Sequence, residues 1–136
     1  MKEITLEATI ENIPQVTAWI DAELEAVDCP IKAQMQIDLA IDEMFGNIAH
    51  YAYAPDTGSA TVRFAYDAAS GMAEITFVDR GKPYDPLAKQ DPDVTLSADE
   101  RAVGGLGIFL VKKTMDDMTY RYENGENHLT IRKKIG

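Results

Sequence analysis

The sequence predicts an α/β (α+β) two-layer sandwich: a mixed, largely antiparallel sheet covered on one face by three helices. Three observations carry that expectation. Apolar residues recur at every second position in five short stretches and at helical spacing in three longer ones. Two pairs of strands are joined by short turn sequences, 68–71 and Asn124-Gly125, as hairpins require. No stretch reads as a linker or an internal repeat, so the 136 residues make one domain, 1–136, around one core.

In order, Ile4, Leu6 and Ala8 alternate as one face of a half-buried strand. Asn12 and Pro14 open a helix whose apolar row is Val16, Ile20, Leu24 and Val27. Asp28 and Pro30 stop it and start a longer one, in which Ile37, Ile41, Met44, Ile48 and Tyr51 share a face. Turn residues from Ala54 to Gly58 end that helix. A hairpin follows, with Val62, Phe64 and Tyr66 on one strand and Ile75 and Phe77 on the other. From 87 to 103 the chain is polar, acidic and proline-containing, and too long for a plain connector. Gly104-Gly105-Leu106-Gly107 opens a third helix. The last hairpin carries Met118, Tyr120 and Tyr122, then Leu129 and Ile131.

Composition narrows the class. Apolar residues make up 46% of the chain, which points to a packed core rather than disorder. Thirteen basic against 23 acidic residues give a net charge of −10, which opposes binding to nucleic acid or to an anionic membrane. The start has no hydrophobic signal region, and no apolar run approaches the ~20 residues of a membrane helix. Cys29 is the only cysteine, so no disulfide forms within the chain, and a reducing cytoplasm is the expected location.

Three separated pieces carry polar chemistry. Glu43 and Asn47 lie four apart on a helix, at the border of its apolar stripe. Asp79-x-Gly81 stands at a strand end, and Gly104-Gly-Leu-Gly107 precedes a helix. Alone, each has a plainer reading: a solvated helix edge, a turn, a helix cap. Together they suit a nucleotide. Glycines let backbone N–H groups approach phosphate, and a following helix offers its positive end. A carboxylate at a strand end can accept from the adenine amino group. An Asn oxygen suits Mg²⁺, and a carboxylate one turn away can take a proton from an attacking hydroxyl.

In order and chemistry the pieces resemble the GHKL ATPase/kinase superfamily, with its Bergerat nucleotide fold. Glu43-x-x-x-Asn47 resembles its N box, Asp79-x-Gly81 its G1 box and Gly104-Gly-Leu-Gly107-Ile its G2 box. The stretch 127–133 resembles its closing strand, whose threonine, here Thr130, lies near the adenine. The short chain is most similar to RsbW-type anti-sigma-factor serine/threonine kinases. The resemblance implies ATP and Mg²⁺ as cofactors, Glu43 as the general base and Asn47 as the Mg²⁺ ligand. It implies ATP-binding roles for Asp79, Gly81, Gly104, Gly105, Leu106, Gly107 and Thr130, and makes 87–103 an ATP lid, mobile without nucleotide. His50 either touches phosphate or is an ordinary helix-end histidine. Arg101 either reaches the γ-phosphate or is a solvated lid charge. The implied partners are a STAS-domain anti-sigma-factor antagonist as phosphate acceptor, a sigma factor, and a second copy of the chain in a homodimer.

The nucleotide pocket fixes neither reaction nor partner. One reading is a protein-serine kinase that also sequesters a regulator. The other is a nucleotide-binding interaction protein with little or no phosphoryl transfer.

Overall fold

A computed structural model describes residues 1–88 and 105–136. Its strands are β1 (Lys2–Glu7), β2 (Ser59–Asp67), β3 (Met72–Asp79), β4 (Asp117–Glu123) and β5 (Glu126–Lys134), and its helices are α1 (Ile13–Ala26), α2 (Ile31–Asn47) and α3 (Gly105–Thr114). The five strands form one sheet in the order β1-β2-β3-β5-β4. Every pairing is antiparallel. The expected mixed character is therefore absent from the pairing itself. β3 and β4, on either side of α3 in the chain, do run parallel, but β5 lies between them and is antiparallel to both.

Alternation puts one sheet face into the core. Val62 and Phe64 of β2, Ala73, Ile75 and Phe77 of β3, and Leu129 and Ile131 of β5 are buried together. Against them pack Val16, Ile20 and Leu24 of α1, Ile37, Ile41, Met44 and Phe45 of α2, and Ile108 and Val111 of α3. Each side chain of this size contributes about 1.5–3 kcal/mol by leaving water. The other sheet face is half-exposed and polar. There Thr5 bonds Thr61 at 2.8 Å, Thr76 bonds Thr130 at 3.0 Å, and Arg132 bridges Glu74 and Asp117, each at 2.8 Å. In the last hairpin Asn124 and Gly125 both take positive φ, 55° and 78°. Asn-Gly accommodates such a turn at little cost.

One element departs from the expected period. α2 ends at Asn47, and the chain continues as a wider π turn, Ile48–Ala52. A π turn holds more residues than an α turn, so the row Ile37, Ile41, Met44, Ile48 loses its next member. Tyr51, assigned to that row by α periodicity, is 52% exposed.

Candidate active site

The C-terminal end of α2 and the ends of β3 and β5 line a cleft open to solvent. Met44, Ile48, Phe77 and Leu129 give it an apolar lining, as a flat aromatic base requires. Asn47, Asp79 and Asn127 bring amide and carboxylate groups to it. Tyr51, Lys82, Tyr84 and Tyr120 also line it, and the Tyr51 and Tyr84 rings lie 6.4 Å apart.

Asp79 is the last residue of β3 and only 6% exposed. Its Oδ1 accepts from the Gly81 N–H and from Asn127 Nδ2, both at 2.9 Å. Buried carboxylates need such partners. Oδ2 accepts no bond among the described residues, so one oxygen is left for a ligand's donor. Behind it, the Tyr53 hydroxyl donates to the Ser59 carbonyl at 2.6 Å and accepts from the Arg80 N–H at 2.8 Å.

Gly81 is required by the approach of two backbones. A Cβ there would stand 2.2 Å from the Ala52 carbonyl oxygen. That carbonyl, delivered by the π turn, accepts from the Lys82 N–H at 2.9 Å. The π turn and the segment after β3 are thus sewn together under Asp79.

Asn47 ends α2 and lines the cleft, and its buried Nδ2 has no hydrogen-bond partner. An unpaired buried amide costs about 1–3 kcal/mol, so Asn47 is left wanting a ligand. Turning the amide by 180° exchanges its ends and presents the oxygen, a suitable donor to a hard cation. Among the described residues no three acidic, histidine or cysteine groups gather into a metal cage. A cation here would share Asn47 with phosphate oxygens and water, the arrangement Mg²⁺ favours. The residues present fit that ion.

Glu43 lies one turn before Asn47 and is half-buried. It faces α3, where a Cβ on Gly107 would fall 2.0 Å from Glu43 Oε2. Burial first, and the charge of Asp42 second, push the Glu43 carboxyl above its ordinary value. That direction suits a group that must take a proton.

The structure therefore brings Asn47 and Asp79 into one cleft, sets Gly81 under its floor and pairs Glu43 with Gly107. Gly105 and Leu106 begin α3. Gly104, Arg101 and all of the expected lid, 87–103, after Ala88 lie outside the described residues. Two expected residues stand apart. His50 is exposed, with its ring 5.9 Å from that of Tyr51, and it does not line the cleft. Its position within the wider π turn takes it off the row that holds Asn47.

Thr130 is on the opposite face of the sheet, bonded to Thr76 across the register. The reason is parity. Leu129 and Ile131 face the core, so Thr130 faces away, and position 127 is the one on the cleft side. Asn127 was missed as a site residue, although counting back by twos from Leu129 finds it. Its Nδ2 also donates to the Lys82 carbonyl at 2.9 Å. Its Oδ1 accepts from the Tyr84 N–H at 3.2 Å and from the Tyr120 hydroxyl. Burial, the largest effect on Tyr120, raises its phenol above the ordinary value and keeps it a donor.

Known proteins share this architecture. Residues 6–133 match the histidine kinase-like ATPase domain family. Serine/threonine-protein kinase BtrW of Bordetella bronchiseptica is 27% identical over 128 residues, 94% of this chain and 89% of that protein. Serine-protein kinase RsbW of Bacillus licheniformis is 26% identical over 95 residues, 65% of this chain and 58% of that one. A solved structure of the RsbU and RsbW domains of a Mycobacterium tuberculosis protein superposes with a TM-score of 0.64 at 16% identity, over 99% of this chain and 33% of that chain. At that identity the likeness speaks for the fold alone. No helix among the described residues is long and apolar enough to cross a membrane. With a family match over nearly its whole length, the chain belongs to the histidine kinase-like ATPase domain family and is homologous to the RsbW and BtrW serine/threonine kinases.

Proposed function

We propose that the chain is an ATP- and Mg²⁺-dependent protein serine/threonine kinase of the anti-sigma-factor type. The observation that carries this is Glu43, a half-buried carboxylate one helical turn from the unpaired, cleft-lining Asn47. A protein that only held nucleotide has no use for a base there.

Asp79 Oδ2 accepts from the adenine 6-amino group, and the apolar walls hold the ring. Asn47 holds the metal side of the phosphates, and the first turn of α3, with Gly105 and Gly107, holds the phosphate oxygens. Bound ATP with Mg²⁺ supplies the phosphoryl group and neutralises its charge. Glu43 takes the proton of an incoming serine or threonine hydroxyl. The acceptor is a STAS-domain anti-sigma-factor antagonist, the sequestered regulator is a sigma factor, and the working unit is a homodimer in the cytoplasm. β1 is an edge strand, so it can serve as a contact between copies.

The test separates base from ligand-holding residues. With labelled ATP and a STAS-domain acceptor, Glu43→Gln should lower transfer by about 10²–10⁴-fold while ATP affinity stays within a few fold. Asn47→Ala should lose the Mg²⁺-dependent part of binding. Equal transfer by wild type and Glu43→Gln removes the base assignment. ATP binding without transfer to any acceptor favours the interaction-protein reading.

A further inference from the structure

The amide of Asn127 has four hydrogen-bonding positions, and all four are used. Its two N–H groups donate to Asp79 Oδ1 and to the Lys82 carbonyl, each at 2.9 Å. Its oxygen accepts from the Tyr84 N–H and the Tyr120 hydroxyl. A side-chain amide offers no more than these. Asn127 therefore has no hydrogen-bonding capacity left for a ligand, although it lines the cleft. The Tyr84 N–H, which can only donate, and the Asp79 and Lys82 oxygens, which accept, settle which end of the amide is which.

The consequence falls on Asp79. Its Oδ1 takes the Asn127 and Gly81 donors together, which fixes the carboxylate plane and leaves Oδ2 as the open acceptor. Lys82 and Tyr84, bound to the same amide, hold the backbone just after Gly81 in one place. We propose that Asn127 is a positioning residue for base recognition: clamped by Tyr120 and Tyr84, it orients Asp79 toward the 6-amino group of adenine without touching the base. This rests on the ATP reading above.

The test compares ATP with purine riboside triphosphate, which keeps the ring and phosphates but lacks the 6-amino group. Calorimetry on the full chain gives both affinities. Wild type should bind ATP at least about tenfold more tightly. Asn127→Asp keeps the acceptors for Tyr84 and Tyr120 and removes both donors. It should lower ATP affinity about tenfold or more and leave the analogue within about threefold. Tyr120→Phe, which leaves the amide in place but removes one of the two donors to its oxygen, should lose part of the same preference. A merely structural role would weaken both ligands together, so a preserved ratio overturns the proposal. If Asn127→Asp melts before the assay temperature, Tyr120→Phe decides by the same ratio. Wild type that binds neither ligand overturns the ATP reading itself. Wild type that prefers ATP, with an unchanged preference in both variants, overturns only the role of Asn127.

Discussion

Asp38→Asn should stabilise the protein in alkaline solution and do much less in acid. Asp21 on α1 and Asp38 on α2 are close enough for their carboxyl groups to interact, and the Oδ1 of each is buried with no donor beside it. Two ionised carboxylates have no proton to give, whereas one shared proton supplies the missing bond. Burial foremost, then the hydrogen bond and charge of Asp21 and the charge of Glu25, raise Asp38 from 3.8 to about 7. A raised carboxyl value means that the folded chain holds the proton more tightly than the unfolded one. Its stabilisation is full below 3.8, declines as the pH climbs, and is gone above about 7. The whole shift corresponds to about 4 kcal/mol. Asp38 is only half-buried, so water screens much of that and leaves about 1–2 kcal/mol, lost as the pH rises from about 4 to about 7.

Asparagine keeps the shape and provides a permanent N–H donor to Asp21. For a chain of this length, the melting temperature of Asp38→Asn minus that of wild type should widen by about 3–5 °C from pH 5 to pH 8. Thermal melts followed by circular dichroism at the two pH values measure this. A gap that does not change with pH, or one that favours wild type at pH 8, refutes the shared proton.

Gly107→Ala should displace the Glu43 carboxylate, whose Oε2 would otherwise sit 2.0 Å from the new methyl group, and a misplacement of that size should cut phosphoryl transfer by about a hundredfold. The circular dichroism spectrum should be unchanged, and transfer at the wild-type rate contradicts the contact. Gly81→Ala meets backbone, the Ala52 carbonyl at 2.2 Å, so it should cost about 1–3 kcal/mol in urea unfolding and weaken ATP binding as well. Because Glu43 must be ionised to accept a proton and its carboxyl is raised, transfer should increase with pH along a limb lying above 4.5, and Glu43→Gln should abolish that limb in a pH–rate profile.

What the sequence discloses here follows from how local each signal is. The rows Val16-Ile20-Leu24 and Ile37-Ile41-Met44 face the core, because a 3.6-residue period needs only its own helix. The turn Asn124-Gly125 and the strands beside it are legible for the same reason. Asp79 with Gly81 was visible as a pair because both lie in one short stretch. Three features were not. The π turn breaks the very period used to read a helix, so Tyr51 went to the wrong side. Likeness to a motif points to Thr130, whereas strand parity turns Thr130 to the opposite face and Asn127 to the cleft. The Asp21–Asp38 pair joins two helices, so neither helix alone announces it.

The π turn also sets a length. Asn47 stands at its beginning and the Ala52 carbonyl, which braces the Gly81 corner, at its end. The two halves of a nucleotide would be gripped from opposite ends of this one short coil. Removing a single residue from 48–52 would let the chain wind as an ordinary α-helix and change the winding between the two grips. Neither grip would be chemically altered, yet they would no longer fit the same molecule at once. The coil is in that sense a gauge for the ligand, and shortening it is a way to uncouple base from phosphate without touching any group that binds either.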